Sequence, residues 1–66
     1  MEVIINQQTF SLQSNSLSGA LKTYGLTQTT GIAVAVNDTV IPKTAWEVFQ
    51  VKANDQITII TAAQGG

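Results

Sequence analysis

The chain has 66 residues, three basic and four acidic side chains, a formal net charge of −1, and neither cysteine nor histidine. A chain of this size forms one small domain that buries roughly 60% of the surface its unfolded form exposes. The composition excludes disulfides, thiol nucleophiles and Cys/His zinc sites, and the scattered charges offer no basic stripe for nucleic acid. The N-terminal residues lack the features of a signal peptide, and the longest apolar run, residues 32–36, is too short to span a membrane. We therefore expect a cytoplasmic protein.

The first third of the chain predicts a β-hairpin followed by a helix. Residues 2–6 are rich in β-branched side chains, residues 6–8 are polar enough for a turn, and residues 9–13 alternate between apolar and polar. Residues 14–16 are typical of a helix N-cap, and Gly25 is typical of the residue that ends a helix. The residues between them that recur at helical spacing, and so share one face, are Leu17, Ala20, Leu21 and Tyr24.

The rest of the chain predicts three further strands. Residues 32–36 are apolar on both faces, which is typical of an interior strand. Val40 and Ile41 begin a short strand that Pro42 ends. Residues 44–49 are ambiguous between a turn and a single helical turn, and residues 53–55 predict a turn that leads into a last strand at Ile57–Ile60.

The chain ends in Gln64, Gly65 and Gly66. Two consecutive glycines adopt backbone angles that other residues avoid, and their lack of Cβ lets them enter narrow spaces. Taken alone, such an ending is more often an inert terminus. We interpret it together with the domain that precedes it.

No catalytic group of residues is predicted within the chain, and no metal site. Asp38, Glu47 and Asp55 lie in turns and polar loops, where carboxylates are usually solvated. We interpret Trp46 as a packing residue that anchors a loop, because a large aromatic beside a strand ended by proline most often has that role.

One stretch resembles a known family. Residues 37–46, NDTVIPKTAW, resemble the N-x-x-[VI]-[VI]-P-[KR]-x-x-W stretch of the sulfur carrier proteins of thiamine biosynthesis, the ThiS type. Residues 55–57 resemble the turn into the last strand of that family, and residues 62–66 resemble its tail. Asn54 replaces the usual glycine of this turn, which asparagine tolerates because it readily adopts left-handed backbone.

The resemblance implies an α+β fold of the β-grasp, or ubiquitin-like, type, with one main helix against a mixed sheet of four to five strands. In this fold the first and last strands lie side by side at the centre of the sheet, a placement that periodicity alone does not establish. The chain is then a single β-grasp domain, residues 1–66, with residues 61–66 as an extended flexible C-terminal tail.

The resemblance also implies a function for this tail. The carboxylate of Gly66 would be adenylated and converted to a thiocarboxylate that supplies sulfur for the thiazole ring of thiamine. The chain would be a co-substrate and not an enzyme, and it would bind no cofactor. ATP and Mg²⁺ would belong to a ubiquitin-activating-like adenylyltransferase, the sulfur would come from a cysteine desulfurase or a sulfur relay, and thiazole synthase would receive it. The residues through which partners would recognise the tail are Ala62, Ala63, Gln64 and Gly65.

Three alternatives remain open at this point. The small subunit of molybdopterin synthase shares the fold and also ends in Gly-Gly, although the Pro-Lys-x-x-Trp stretch and the short length favour thiamine. The chain could also be a ubiquitin-like protein that is conjugated to lysines, or an interaction module whose tail is never activated. Fold alone does not separate these functions.

Overall fold

The structure, a computed structural model, describes residues 1–26 and 30–61. The strands are β1 (Glu2–Ile5), β2 (Gln8–Ser11), β3 (Ile32–Val36), β4 (Thr39–Val40) and β5 (Gln56–Thr61), and helix α1 spans Leu17–Tyr24. A short 3₁₀ helix follows β4 at Lys43–Ala45. The five strands form one sheet in the order β2-β1-β5-β3-β4.

The sheet is mixed because its two central strands run parallel. β1 pairs with β5 in parallel, Ile4 opposite Gln56 and Ile5 opposite Ile57. The other neighbours are antiparallel: β1 with β2, β3 with β5 and β3 with β4. The predicted mixed sheet, with the first and last strands side by side at its centre, is therefore confirmed.

One face of the sheet and the apolar stripe of α1 form the core. The alternation of side chains along a strand sends every second residue to the same face, so Val3 and Ile5 of β1 lie beside Ile57 of β5. The helix contributes Leu17, Ala20 and Leu21 to the same cluster. The other buried members are Leu12, Val34, Val36, Ile41, Trp46 and Val51.

Both ends of the predicted helix are confirmed. The side chain of Ser16 accepts a hydrogen bond from the backbone N–H of Gly19, and so caps the first turn. Gly25 follows the helix with φ of 98° and donates its N–H to the carbonyls of Leu21 and Lys22. No helix among residues 1–26 and 30–61 has the length and apolar character needed to cross a membrane.

The structure differs from the sequence-based expectations at several strand ends. β4 is Thr39–Val40, one residue shorter than expected, although the N–H of Ile41 still donates to the carbonyl of Val34 in β3 at 2.8 Å and its side chain is buried in the core. The ambiguous stretch after Pro42 contains the 3₁₀ helix, which begins one residue earlier than expected. β5 includes Gln56 and Thr61 as well as the predicted residues.

Thr61 belongs to the last strand, although the sequence assigns it to the tail. Its partner is Ile32, the first residue of β3, so the ladder between the two strands continues to Thr61. The rest of the predicted tail, residues 62–66, and residues 27–29 of the predicted linker lie outside the described residues.

The core position of Leu21 gives a prediction about stability. Leu21 is 4% exposed on the buried face of α1, so Leu21→Ala should lower the free energy of unfolding by about 2–5 kcal/mol. The matched control is Thr23→Ala, an exposed position of the same helix, which should change it by no more than about 0.5 kcal/mol. Urea denaturation of both variants tests this. Equal midpoints for Leu21→Ala and the wild type would contradict the buried position of Leu21 in the core.

Candidate functional site at the end of the last strand

The residues predicted to carry the function follow β5 directly. Ala62, Ala63, Gln64, Gly65 and Gly66 themselves lie outside the described residues. The structure describes the strand that leads to them, and this strand lies between β1 and β3 at the centre of the sheet. The candidate site is therefore the C-terminal end of β5, residues 59–61, together with the groups that hold this strand. We call this end of the strand the exit.

Two hairpin turns approach β5 from opposite sides. Asn6 and Gln7 join β1 to β2 with φ of 50° and 71°, and Asn37 and Asp38 join β3 to β4 with φ of 50° and 70°. Two-residue turns with positive φ at both positions match the right-handed twist of the strands that they connect. Asparagine favours such turns because it tolerates left-handed backbone.

Asn37 binds the beginning of β5. Its backbone N–H donates to the carbonyl of Gln56 at 2.8 Å, and its Oδ1 accepts from the N–H of Gln56 at 3.0 Å. Its Nδ2 donates to Oδ1 of Asp55 at 3.0 Å. The other oxygen of Asp55 accepts from the N–H of Lys52 at 2.7 Å. Asp55 therefore organises the turn into β5, and Asn54 in this turn has φ of 70°, as expected.

Asn6 binds β5 nearer to its exit. Its backbone N–H donates to the carbonyl of Ile57 at 2.9 Å, and its Oδ1 accepts from the N–H of Ile59 at 2.9 Å. Its Nδ2 donates to Oη of Tyr24 at 3.1 Å. The sequence predicts turns at Asn6 and Asn37, and Asn37 begins the stretch with the family resemblance, but the hydrogen bonds of both side chains to β5 were not predicted.

The outer face of the sheet, opposite α1, exposes apolar side chains on β5, β3 and β4. Ile60 of β5 is 55% exposed and Val40 of β4 is 67% exposed. Ala33 of β3 pairs with Ile60 and is exposed too. Adjacent exposed apolar side chains are typical of surfaces that contact other proteins.

The N-terminus of α1 is occupied by the protein's own groups. The N–H groups of Leu17 and Ser18 donate to the carbonyls of Phe49 and Trp46, and Gly19 donates to Oγ of Ser16. A Cβ at position 19 would lie 2.7 Å from Oγ of Ser14 and 3.0 Å from the capping Oγ of Ser16, so a side chain there would require these hydroxyls to move. These amides are therefore not available to bind an anion.

No group of three or more His, Cys, Asp or Glu side chains is placed to hold a metal ion in the part of the chain that the structure describes. Asp38 and Glu47 are exposed in separate loops. The carboxylate of Asp55 accepts hydrogen bonds from Asn37 and Lys52.

The comparisons with known proteins agree with this geometry. A family model described as the ThiS family matches residues 3–66, nearly the whole chain. The chain belongs to the ThiS family. A crystal structure of a thiamine biosynthesis protein (ThiS) from Geobacter metallireducens is similar to it, with a TM-score of 0.81, 20% sequence identity and 100% coverage of both chains. No curated protein matches the chain in sequence.

Family membership confirms the resemblance found in the sequence, and the structural similarity confirms the β-grasp fold. The stretch that carries the resemblance begins at Asn37, which holds the start of β5, and ends at Trp46. Trp46 is 6% exposed. Its Nε1 donates to the carbonyl of Ile41 at 2.9 Å, and its own carbonyl accepts from Ser18 at 3.1 Å. This ThiS-family stretch therefore ties β4 to the start of α1, and the packing interpretation of Trp46 fits the contacts.

Trp46 gives a prediction that separates packing from partner recognition. Trp46→Phe removes the donor to the Ile41 carbonyl and should lower the free energy of unfolding by about 1–3 kcal/mol. Thr44→Ala, at an exposed position of the neighbouring 3₁₀ helix, should change it by about 0.5 kcal/mol or less. Urea denaturation measures both values. A Trp46→Phe variant with wild-type stability but impaired reaction with a partner would contradict the packing role.

Proposed function

We propose that this ThiS-family protein is a sulfur carrier for the thiazole ring of thiamine, and that Gly66 carries the sulfur as a C-terminal thiocarboxylate. The observation that carries the proposal is that the family match extends to residue 66 and so includes the Gly65-Gly66 ending. The position of β5 supports it, because the tail follows a strand that β3 holds as far as Thr61 and that β1 holds at Gln56 and Ile57. The match to the ThiS family favours this role over that of the molybdopterin synthase subunit.

The proposed chemistry takes place at the carboxylate of Gly66. A carboxylate is a poor electrophile, so an adenylyltransferase of the ubiquitin-activating type joins it to AMP from Mg²⁺-ATP and releases pyrophosphate. A persulfide formed by a cysteine desulfurase, directly or through a relay, attacks the carbonyl carbon, and AMP leaves. A thiol then reduces the remaining sulfur–sulfur bond, which leaves the thiocarboxylate for thiazole synthase. In this scheme the chain is a co-substrate, and its partners supply the nucleophiles and the ATP site.

The outer face of the sheet supports contact with the activating enzyme. Ile60 precedes the tail by one described residue, Thr61, so an enzyme that binds the tail lies next to the exposed side chain of Ile60. The apolar surface continues from Ile60 to Ala33, its partner in β3. Burial of this surface adds binding free energy that does not depend on the glycines. The tail then provides specificity for the reaction.

The direct test is the intact mass of the protein purified from its own cells. The proposal expects a fraction of the protein to be heavier by the exchange of one oxygen for sulfur, and tandem mass spectrometry should assign the exchange to Gly66. Purification from cells that lack the adenylyltransferase provides the control. An unchanged intact mass of the protein from cells that express the enzymes of the pathway would contradict the carrier function.

Deletion of Gly66 should abolish activation and leave the fold intact. The residue lies beyond the last strand, where chain termini contribute little to stability. We expect the same thermal unfolding midpoint as the wild type and no ATP-dependent release of pyrophosphate with the adenylyltransferase. Sulfur transfer by the shortened protein would overturn the proposal.

Gly65→Ala tests whether a partner reads the glycines. The added methyl group restricts the backbone and would meet the wall of a channel built for glycine. We expect a large decrease in the rate of adenylate formation and an unchanged unfolding midpoint. Thr23→Ala is the control, because it changes one exposed side chain of α1 outside the tail, and it should retain activity. Equal rates for Gly65→Ala and the wild type would favour the interaction-module alternative.

A further inference from the structure

The second half of β5 has a neighbouring strand on one side only. β3 pairs with β5 as far as Thr61, the last described residue. β1 pairs with β5 only at Gln56 and Ile57, because β1 ends at the hairpin turn of Asn6 and Gln7, which leads into β2. From Thr58 onward, the edge of β5 that faces β1 therefore has no strand to pair with among the described residues.

The side chain of Asn6 takes the place of the missing strand. Alternate residues of a strand direct their N–H groups to the same side, so Ile59 follows Ile57 on the edge that faces β1. The N–H of Ile59 donates to Oδ1 of Asn6 at 2.9 Å. The side-chain amide thus adds one more hydrogen bond to the ladder, beyond the point where the backbone of β1 ends.

A second contact fixes the orientation of this amide. Nδ2 of Asn6 donates to Oη of Tyr24, the last residue of α1, at 3.1 Å. The ring of Tyr24 packs edge-on against Phe10 of β2, with 5.5 Å between the ring centroids and 65° between the planes. Helix, hairpin and last strand therefore meet at Asn6.

We propose that Asn6 is a positioning residue for the reaction at Gly66. Resting on the proposed function, this inference assigns to Asn6 the task of holding the exit of β5 in one direction before the partner binds. Without the amide, the end of β5 samples more conformations, and the partner must order it on binding. Loss of Asn6 should therefore weaken productive binding of the tail and have little effect on the chemical step.

Asn6→Gly and Asn37→Gly form a matched pair for the test. Glycine adopts positive φ without strain, so each variant keeps its turn and loses only the side-chain amide. Asn6→Gly removes the bond to Ile59 near the tail, whereas Asn37→Gly removes the bond to Gln56 at the other end of the same strand. Both variants lose contacts of similar kind, but only one of the two losses lies at the exit.

The kinetic measurement is ATP-dependent pyrophosphate release with the adenylyltransferase of the same cells, at a temperature where both variants are folded. We expect Asn6→Gly to raise the KM for the carrier protein about tenfold with kcat nearly unchanged. The end of β5 becomes ordered when the carrier binds, so the loss affects binding and not the chemical step. Asn37→Gly should keep KM within about twofold of the wild type. Asn6→Asp, which keeps an acceptor oxygen and tolerates left-handed backbone, should restore most of the loss. Equal KM values for the two glycine variants would overturn the inference.

Amide hydrogen exchange tests the same contact without the partner. The amide of Ile59 should exchange faster in Asn6→Gly than in Asn37→Gly, and Asn6→Asp should restore its protection. If Asn6→Gly does not fold, Tyr24→Phe replaces it, because it removes the Oη contact and keeps the ring; unchanged Ile59 exchange in that variant would overturn the inference. Absence of pyrophosphate release with the wild-type protein would instead contradict the proposed function, whatever the exchange result.

Discussion

The parallel pairing of β1 with β5 is the interaction on which the rest of the fold depends. It joins the two ends of the described chain at the centre of the sheet and places Ile5 beside Ile57 in the core. Without this pairing, the hairpin of β1 and β2 would not join the sheet that contains β3, β4 and β5. Helix α1 would then have no continuous apolar face to pack against. The strand that completes the core is also the strand from which the predicted tail continues. The packing of the core and the position of Thr61, the last described residue before the predicted tail, therefore depend on the same strand.

Local patterns in the sequence were enough to predict most of the elements. The helical spacing from Leu17 to Tyr24, bounded by Ser16 and Gly25, predicted α1 at its observed limits. The apolar run at residues 32–36 predicted β3 in full. These predictions succeed because caps and periodicity act over a few residues, and packing then strengthens what the local sequence favours.

Long-range contacts could not be predicted in the same way. The bond from Ile59 to Asn6 spans 53 positions and the bond from Gln56 to Asn37 spans 19. Residues 6–7 and 37–38 indicate turns, but which group the amide of each asparagine binds depends on where β5 lies. The position of Thr61 in β5 likewise depends on the length of β3 and not on the sequence near the tail. The order of strands came from the family resemblance.

The polar groups around β5 show how a small sheet can hold a strand that leads out to a tail. Asn37 and Asp55 hold the beginning of β5, and Asn6 holds the same strand at Ile59. Each asparagine uses its backbone N–H and both atoms of its side-chain amide, so a single residue replaces several main-chain contacts. A longer β1 would also hold the exit, but its backbone would pair with β5 along the edge where the strand ends. A side chain supports the same point with one hydrogen bond at Ile59, so among the described residues the edge of β5 that faces β1 has no paired strand beyond it.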